Sequence, residues 1–133
     1  MDFISHTVGG IALGAGANYL AREIGIEPNS ALLVGAAALG GLLPDIDHPQ
    51  SFLGRKLPLL PDLLYSFVGH RTLTHSFFFT FIIGLIGLLI NPWVSLGLVL
   101  GILSHIALDM LSPYGVSFLY PFHKERIKLK KYP

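Results

Sequence analysis

Hydrophobic positions along this chain fall into four long stretches, separated by short polar or proline-containing segments. The stretches cover about Phe3–Leu20, Asn29–Leu43, His75–Ile90 and Trp93–Leu111. A helix that crosses a bilayer needs about 20 apolar residues. Two of the stretches are shorter, so they need flanking residues, a thinned bilayer or neighbouring helices. The pattern predicts an all-α fold: a polytopic bundle of about four transmembrane helices.

The long connection at residues 49–69 separates the second stretch from the third. Pro58 and Pro61 interrupt it, and Pro61 suits the first turn of a short helix in the segment PDLLYSFV. We expect this helix to lie in the membrane interface. Whether it is a lid, a lipid-contact element or a simple linker stays open at this point.

Small residues recur four positions apart in the first and fourth stretches. The pairs are Gly10 with Gly14 and Gly97 with Gly101. Such pairs let helix backbones approach closely in lipid. The alternative is the general abundance of glycine in membrane helices. Either interpretation fits a compact four-helix bundle.

Composition supports a membrane location. The 133 residues are enough for one domain, 52% of them are hydrophobic and only 13% are charged. The mean hydropathy is +0.62. Soluble domains carry about 25% charged residues, so we interpret the chain as an integral membrane protein. It has no cysteine, which excludes disulfides and thiolate metal sites. Asp2 and His6 argue against a cleaved signal peptide.

The basic residues predict the orientation. Arg55, Lys56 and Arg71 lie in the connection at 44–74, and the tail at 122–133 adds five more: Lys124, Arg126, Lys128, Lys130 and Lys131. With four spans, only Arg22 lies on the opposite side. The positive-inside rule makes the connection, the tail and both termini cytoplasmic, in the inner membrane of a cell. A tail that binds nucleic acid is the less favoured alternative, so no nucleic acid partner is expected.

This topology gathers most of the histidines and several aspartates at the cytoplasmic end, although they did not enter the charge count. The candidate metal ligands are His6, Asp45, Asp47, His48, His70, His75, His105 and Asp109. His123 falls outside the bundle and is left out. A lone His6 would be incidental, and His70 could be a mere interfacial residue. Their shared end of the bundle favours a metal site.

His105 and Asp109 are four positions apart in SHIALDML. On a helix this spacing places both side chains on one face. Ionisable groups within a membrane helix are costly and usually functional. Imidazole and carboxylate together suit zinc or manganese. The alternative is a buried His–Asp hydrogen bond, but the other candidates at the same end favour the metal.

Asp45, Asp47 and His48 follow the end of the second stretch, in the segment LLPDIDHP. A helix C-terminus disfavours anions, so the two carboxylates need a cation nearby. A metal would supply it, whereas the simpler interpretation is a solvated turn between Pro44 and Pro49.

His70 and His75 stand on either side of a predicted helix start in HRTLTHS, with Thr72 or Thr74 as the expected N-cap. Arg71 lies between them. It is either a snorkelling anchor, or a clamp for a phosphate or for developing negative charge.

Eight candidate ligands are too many for one tetrahedral site and indicate about two divalent ions per chain. We expect zinc, with manganese as the alternative. Two-metal sites typically serve hydrolysis at phosphorus or carbonyl centres. Asp45 or Asp47 would then bridge the ions or act as the base, and Arg71 would stabilise an oxyanion or phosphate.

The motifs LLPDIDH, HRTLTHS and HIALDMLSPYG, after an N-terminal His and a Gly-rich helix, resemble the YdjM-like family. This family is described as membrane-bound, metal-dependent hydrolases, LexA-regulated inner-membrane proteins in bacteria. The resemblance runs from His6 to about Pro121 and implies a helical membrane domain with a hydrolase site. The family is distantly similar to zinc-dependent phospholipases C, which use a His-x-x-x-Asp pair. This analogy makes phospholipid or phosphorylated substrates an expectation.

Three functions remain in view. The first is a membrane hydrolase of phosphoester or phospholipid-like substrates, with membrane lipid as its surroundings. The second is a metal ion or proton transporter, although such sites usually lie near the bilayer midplane and at repeat interfaces. The third is a non-catalytic scaffold with structural histidines. The sequence leaves the substrate, the metal and the oligomeric state open.

Overall fold

The structure is a computed structural model that describes residues 2–131. Within this range it contains five α-helices and no β-strand, so the predicted all-α class is confirmed. The helices are α1 (Phe3–Glu23), α2 (Ser30–Gly40), α3 (Leu60–Val68), α4 (Phe77–Leu88) and α5 (Pro92–Met110). Short 3₁₀ turns occupy Leu43–Asp47, Gly54–Lys56 and Leu73–His75.

Side-chain caps set where four of the helices begin. Asp2, Asn29 and Asn91 each accept a hydrogen bond from a backbone N–H in the first turn of α1, α2 and α5. The cap of α4 is Ser76, whose Oγ accepts from the Phe79 N–H at 3.1 Å. The expected cap at Thr72 or Thr74 is therefore wrong. The 3₁₀ turn at Leu73–His75 precedes the helix, so Thr72 and Thr74 lie too early in the chain to cap α4.

Glycines bring the helices of the bundle into backbone contact. A Cβ at Gly10 of α1 would overlap the carbonyl oxygen of Ala37 in α2. A Cβ at Gly101 of α5 would overlap the same oxygen from the other side. Gly97 lies equally close to the Leu33 carbonyl. The predicted close-packing role of both glycine pairs is confirmed, because α2 is held between α1 and α5 through them.

Many polar side chains of the bundle are buried, whereas many of its large apolar side chains are exposed. Among residues 2–131, the fully buried large side chains include Leu33, Ile102 and Ile106 together with five ionisable residues: His6, Asp47, His75, His105 and Asp109. Exposed positions on α1 and α4 carry Phe, Ile and Leu instead, and Leu89 and Ile90 are among the most exposed. A water-soluble globule buries such residues. Lipid-facing helices expose them and turn their polar groups inward.

Within residues 2–131, two of the four predicted segments are long enough and apolar enough to cross a bilayer. They are Ser30–Asp47, which joins α2 to the following 3₁₀ turn, and Pro92–Met110. Helix α4 has 12 residues and extends about 18 Å, less than a bilayer core of about 30 Å. Helix α1 has 21 residues but is rich in Gly and Ala. Four complete spans therefore remain a proposal.

The connection at residues 49–69 contains the expected short helix. It is α3, with Pro61 in its first turn. Its side chains Leu63, Tyr65 and Phe67 are exposed. An exposed apolar face of this kind is typical of a helix that lies in a membrane interface.

The segment after α5 folds back against the loop that precedes α4. Val116 and Ile127 form an isolated antiparallel bridge, and the Ser117 N–H donates to the Arg71 carbonyl at 3.0 Å. The predicted basic tail at 122–133 is therefore tied to the bundle as far as it is described, and its residues 132–133 lie outside the described range. This return fixes the backbone of the loop that carries His70 and Arg71.

Candidate metal centre

Four ligand atoms from three different places in the chain converge at one end of the bundle. Asp45 comes from the 3₁₀ turn after α2, His75 from the turn before α4, and His105 and Asp109 from α5. His75 Nε2 lies 3.1 Å from His105 Nε2 and 3.1 Å from Asp109 Oδ2. His105 Nε2 lies 3.5 Å from Asp109 Oδ2 and 3.5 Å from Asp45 Oδ1. We call Asp45, His75, His105 and Asp109 the inner group.

The spacing of the inner group suits a divalent ion. His75 Nε2 and Asp45 Oδ1 are 3.9 Å apart, so the five measured separations range from 3.1 to 3.9 Å. Zinc bonds of 2.0–2.2 Å in a tetrahedron place neighbouring ligand atoms about 3.3–3.6 Å apart. Two imidazoles and two carboxylates also form a donor set that zinc accepts. The residues present therefore fit a bound metal.

His105 is oriented by the end of α2. Its Nδ1 lies 2.7 Å from the Gly41 carbonyl oxygen, which can only accept a hydrogen bond. Nδ1 therefore carries the proton, and Nε2 presents its lone pair to the inner group. A backbone carbonyl behind a histidine is a common second contact in metal sites. The i, i+4 partner Asp109 faces the same point, as the spacing predicted.

His75 is oriented through Thr74 and Asp47. The Thr74 hydroxyl donates to Asp47 Oδ2 at 2.6 Å, and its oxygen lies 3.1 Å from His75 Nδ1. That oxygen is then the acceptor for an Nδ1–H, which leaves the lone pair on Nε2. The sequence predicted Thr74 only as a possible helix cap, so its contacts with Asp47 and His75 were not foreseen.

A second group shares one carboxylate with the first. Asp45, Asp47 and His70 offer ligand atoms that lie within 4.8 Å of one another, and we call them the outer group. His70 Nδ1 lies 2.7 Å from Asp47 Oδ1. Asp45 belongs to both groups, which makes it the better candidate for a bridging ligand. Asp47 already accepts hydrogen bonds on both oxygens, from His70, the Arg71 N–H and Thr74.

Arg71 contacts the inner group through Asp109. Its Nη2 donates to Asp109 Oδ1 at 3.2 Å, and its Nη1 donates to Ser112 Oγ at 2.6 Å. The guanidinium also lies 5.5 Å from the ring centre of Tyr114. The Arg71 backbone has a φ of 61°, in the left-handed region that is unusual for a residue with a side chain. Asp47 stabilises this conformation by accepting from its N–H.

The remaining predicted ligands lie beside the two groups. His6 is stacked on His105 with ring centres 3.5 Å apart, and its Nε2 is 3.5 Å from Asp109 Oδ1. Its buried Nδ1 has no hydrogen-bond partner among the described atoms. His48 belongs to neither group; its Nδ1 accepts from the Gln50 N–H at 3.2 Å. Its ring lies edge-on to His70 at 4.9 Å.

A polar cavity of about 390 Å³ opens beside these groups. Asp45, His48, His70 and Arg71 line it, together with Arg55. Asp45 is the member of the inner group that reaches this cavity, and its side chain is 20% exposed, whereas those of His75 and His105 are fully buried. The candidate metal centre thus has access to solvent through one shared carboxylate.

Comparison with known proteins finds one matching family and several similar bacterial proteins. The family described as YdjM inner membrane protein matches residues 1–133. The uncharacterized protein YvsG of Bacillus subtilis is 40% identical over 119 residues, which cover 88% of this chain and 71% of that protein. The inner membrane protein YdjM of Escherichia coli is 44% identical over 96 residues, and so is that of Shigella flexneri.

The match to the Escherichia coli protein covers only part of that protein. The 96 residues cover 67% of this chain but 49% of the Escherichia coli protein, so the chain spans about half the length of that relative. No solved structure matches the chain. The family match covers the whole sequence, including the motifs that carry the inner and outer groups. The chain therefore belongs to the YdjM family of inner membrane proteins.

Proposed function

We propose that this protein is a membrane-embedded, metal-dependent hydrolase that acts on a phosphoester or phospholipid-like substrate. The observation that carries the proposal is the position of Asp45. This carboxylate belongs to the inner and the outer group, and it also lines the polar cavity. A metal pair that shares Asp45 would therefore stand at the wall of a space that a substrate can enter.

The number of ligands in each group supports a catalytic role. The inner group offers four side chains, the number that closes a structural zinc site. The outer group offers three, the number that catalytic zinc sites use. His70 and Asp45 of the outer group both line the cavity. The outer position thus has room for water and substrate, and the inner position fixes the geometry.

The chemistry follows from these positions. Hydrolysis adds water across a phosphoester bond: phosphorus gains a hydroxyl group and the departing alcohol gains a proton. Bound divalent ions would supply an activated water and neutralise charge on the phosphoryl oxygens. Asp45 would hold the two ion positions together. Asp47 positions the loop through His70, Arg71 and Thr74 rather than acting as the base.

The charge pattern supports placing this centre at the cytoplasmic face. The cluster lies where α1 and α4 begin and where α2 and α5 end, which is the end that carries the loop with Arg55, Lys56 and Arg71. We propose four membrane segments with both termini in the cytoplasm. The short α2 and α4 would then need a locally thinned bilayer or shielding by α1 and α5.

Purified protein tests the activity directly. Metal-loaded chain in detergent should hydrolyse at least one member of a panel of phosphomonoesters, phosphodiesters and phospholipids. Asp45→Asn should abolish this activity, and Glu27→Gln, on the exposed loop at the far end of the bundle, should retain it. Equal activity in Asp45→Asn and Glu27→Gln would contradict the proposal. Full metal loading with no hydrolysis of any substrate would favour a scaffold.

A further inference from the structure

We propose that Arg55, rather than Arg71, binds the anionic group of the substrate. This inference rests on the proposed function and names a residue that determines its substrate class. Both arginines line the polar cavity next to Asp45. They differ in what their guanidinium groups already contact.

Arg71 is held by the candidate metal centre itself. Its two terminal nitrogens donate to Asp109 and Ser112, and its side chain is only 10% exposed. Turning this guanidinium toward a substrate would leave the buried Asp109 carboxylate without that cation. Leaving a buried charge uncompensated is costly. Arg71 is therefore a positioning residue for Asp109.

Arg55 has the opposite surroundings. It is exposed, and among the described residues its side chain makes one long hydrogen bond, from Nε to the Ser51 carbonyl at 3.4 Å. Its terminal nitrogens are thus available for the two parallel hydrogen bonds that guanidinium groups make to phosphate. Binding an anion there breaks no buried ion pair.

The loop that carries Arg55 is fixed to the metal centre. The Ser51 hydroxyl donates to the Asp45 carbonyl at 2.6 Å and accepts from the Gly54 N–H at 2.9 Å. A Cβ at Gly54 would overlap the His48 carbonyl oxygen, so only glycine allows this turn. The Arg55 N–H donates to the Ser51 carbonyl at 3.0 Å. Arg55 is therefore held at a defined place relative to Asp45.

The aromatic residues that line the same cavity indicate what adjoins the anionic group. Phe3 and Phe52 stack with ring centres 5.1 Å apart, and both rings are partly exposed. Lys56 places its ammonium 4.9 Å from the Phe52 ring centre. An anion at Arg55 would have apolar surface beside it. We therefore assign the substrate to the phosphate monoesters or diesters, either of a lipid headgroup or of a small soluble alcohol.

Ligand binding separates Arg55 from its neighbour. Full-length, zinc-loaded protein in detergent is titrated calorimetrically with glycerol 3-phosphate in one arm and dioctanoyl phosphatidic acid in the other. Arg55→Ala should weaken binding at least about tenfold, the loss expected for a charge-assisted pair. Arg55→Lys should recover part of it, and Lys124→Ala, the matched control on the exposed tail, should bind like the wild type. Tighter binding of phosphatidic acid than of glycerol 3-phosphate would identify the lipid as the source.

Equal dissociation constants in Arg55→Ala and Lys124→Ala would overturn the inference. It would also be overturned if neither probe bound to the zinc-loaded wild type. The metal content of the same samples reports on the proposed metal centre separately. Arg55→Ala should retain it fully, because Arg55 contacts neither ligand group.

Discussion

The Nε2 atoms of His75 and His105 face each other at 3.1 Å in a fully buried position. The other ring nitrogen of each histidine has its own acceptor, the Thr74 hydroxyl for His75 and the Gly41 carbonyl for His105. Both Nε2 atoms therefore direct lone pairs toward the same point. Asp45 and Asp109 direct carboxylate oxygens there as well. A cation between the four atoms would contact all of them at once.

Removal of an inner ligand should remove the metal. His105→Ala and Asp109→Ala are each expected to lower the metal content of purified protein to less than half that of the wild type. His123→Ala is the matched control, because His123 is exposed and pairs with Glu125. Elemental analysis of the purified proteins measures the effect. Unchanged content in both inner variants would show that the metal, if any, is bound elsewhere.

Thr74 should matter through its hydroxyl. Thr74→Val keeps the shape but removes the group between Asp47 and His75. We expect a loss of about 10–100-fold in zinc affinity, the range found for second contacts of metal ligands. Thr74→Ser should bind zinc nearly as tightly as the wild type. Competition with a chromophoric chelator gives both affinities, and equal affinities for the two variants would speak against the Thr74 contact.

Close helix packing should make Gly101 sensitive to a single methyl group. In Gly101→Ala the new Cβ would overlap the Ala37 carbonyl oxygen and the Gly41 N–H. Overpacking of this kind costs about 1–3 kcal/mol. Gly16→Ala is the matched control, because a Cβ at Gly16 meets no atom within 4 Å. We expect a lower thermal midpoint in detergent for Gly101→Ala only. Equal midpoints would mean that the helices do not approach as closely as described.

The proposed topology predicts which loops face the cytoplasm. The chain has no cysteine, so Glu27→Cys and Lys128→Cys are each the sole thiol of their variant. An impermeant maleimide should label Glu27→Cys in intact cells, and Lys128→Cys only after permeabilisation. Labelling of Lys128→Cys in intact cells would place the metal centre on the other face.

Periodicity and charge predict a large part of this molecule. The four-residue spacing of His105 and Asp109 defines one helix face whatever surrounds it. Alternating topology brings the ends of the segments together. The sequence does not reveal which polar atoms form hydrogen bonds with one another. Ser76 rather than Thr72 or Thr74 caps α4, because a 3₁₀ turn intervenes.

Long-range contacts account for the rest. His105 finds its acceptor at Gly41, which is 64 positions away. Asp45 and Asp47 stand two residues apart with similar chemistry, and their different roles depend on the loop at residues 70–74 that folds over Asp47. The bounds of a bilayer span also depend on lipid and on neighbouring helices, so composition alone qualifies two segments and not four.

The most direct measurement of the central claim is an anomalous-scattering map of the purified protein, collected at the zinc absorption edge together with a determination of its metal content. The account predicts a peak between Asp45 Oδ1, His75 Nε2, His105 Nε2 and Asp109 Oδ2. A second, weaker peak is expected beside Asp45, Asp47 and His70. Protein prepared without chelator that carries almost no metal, or a peak remote from Asp45, would contradict it.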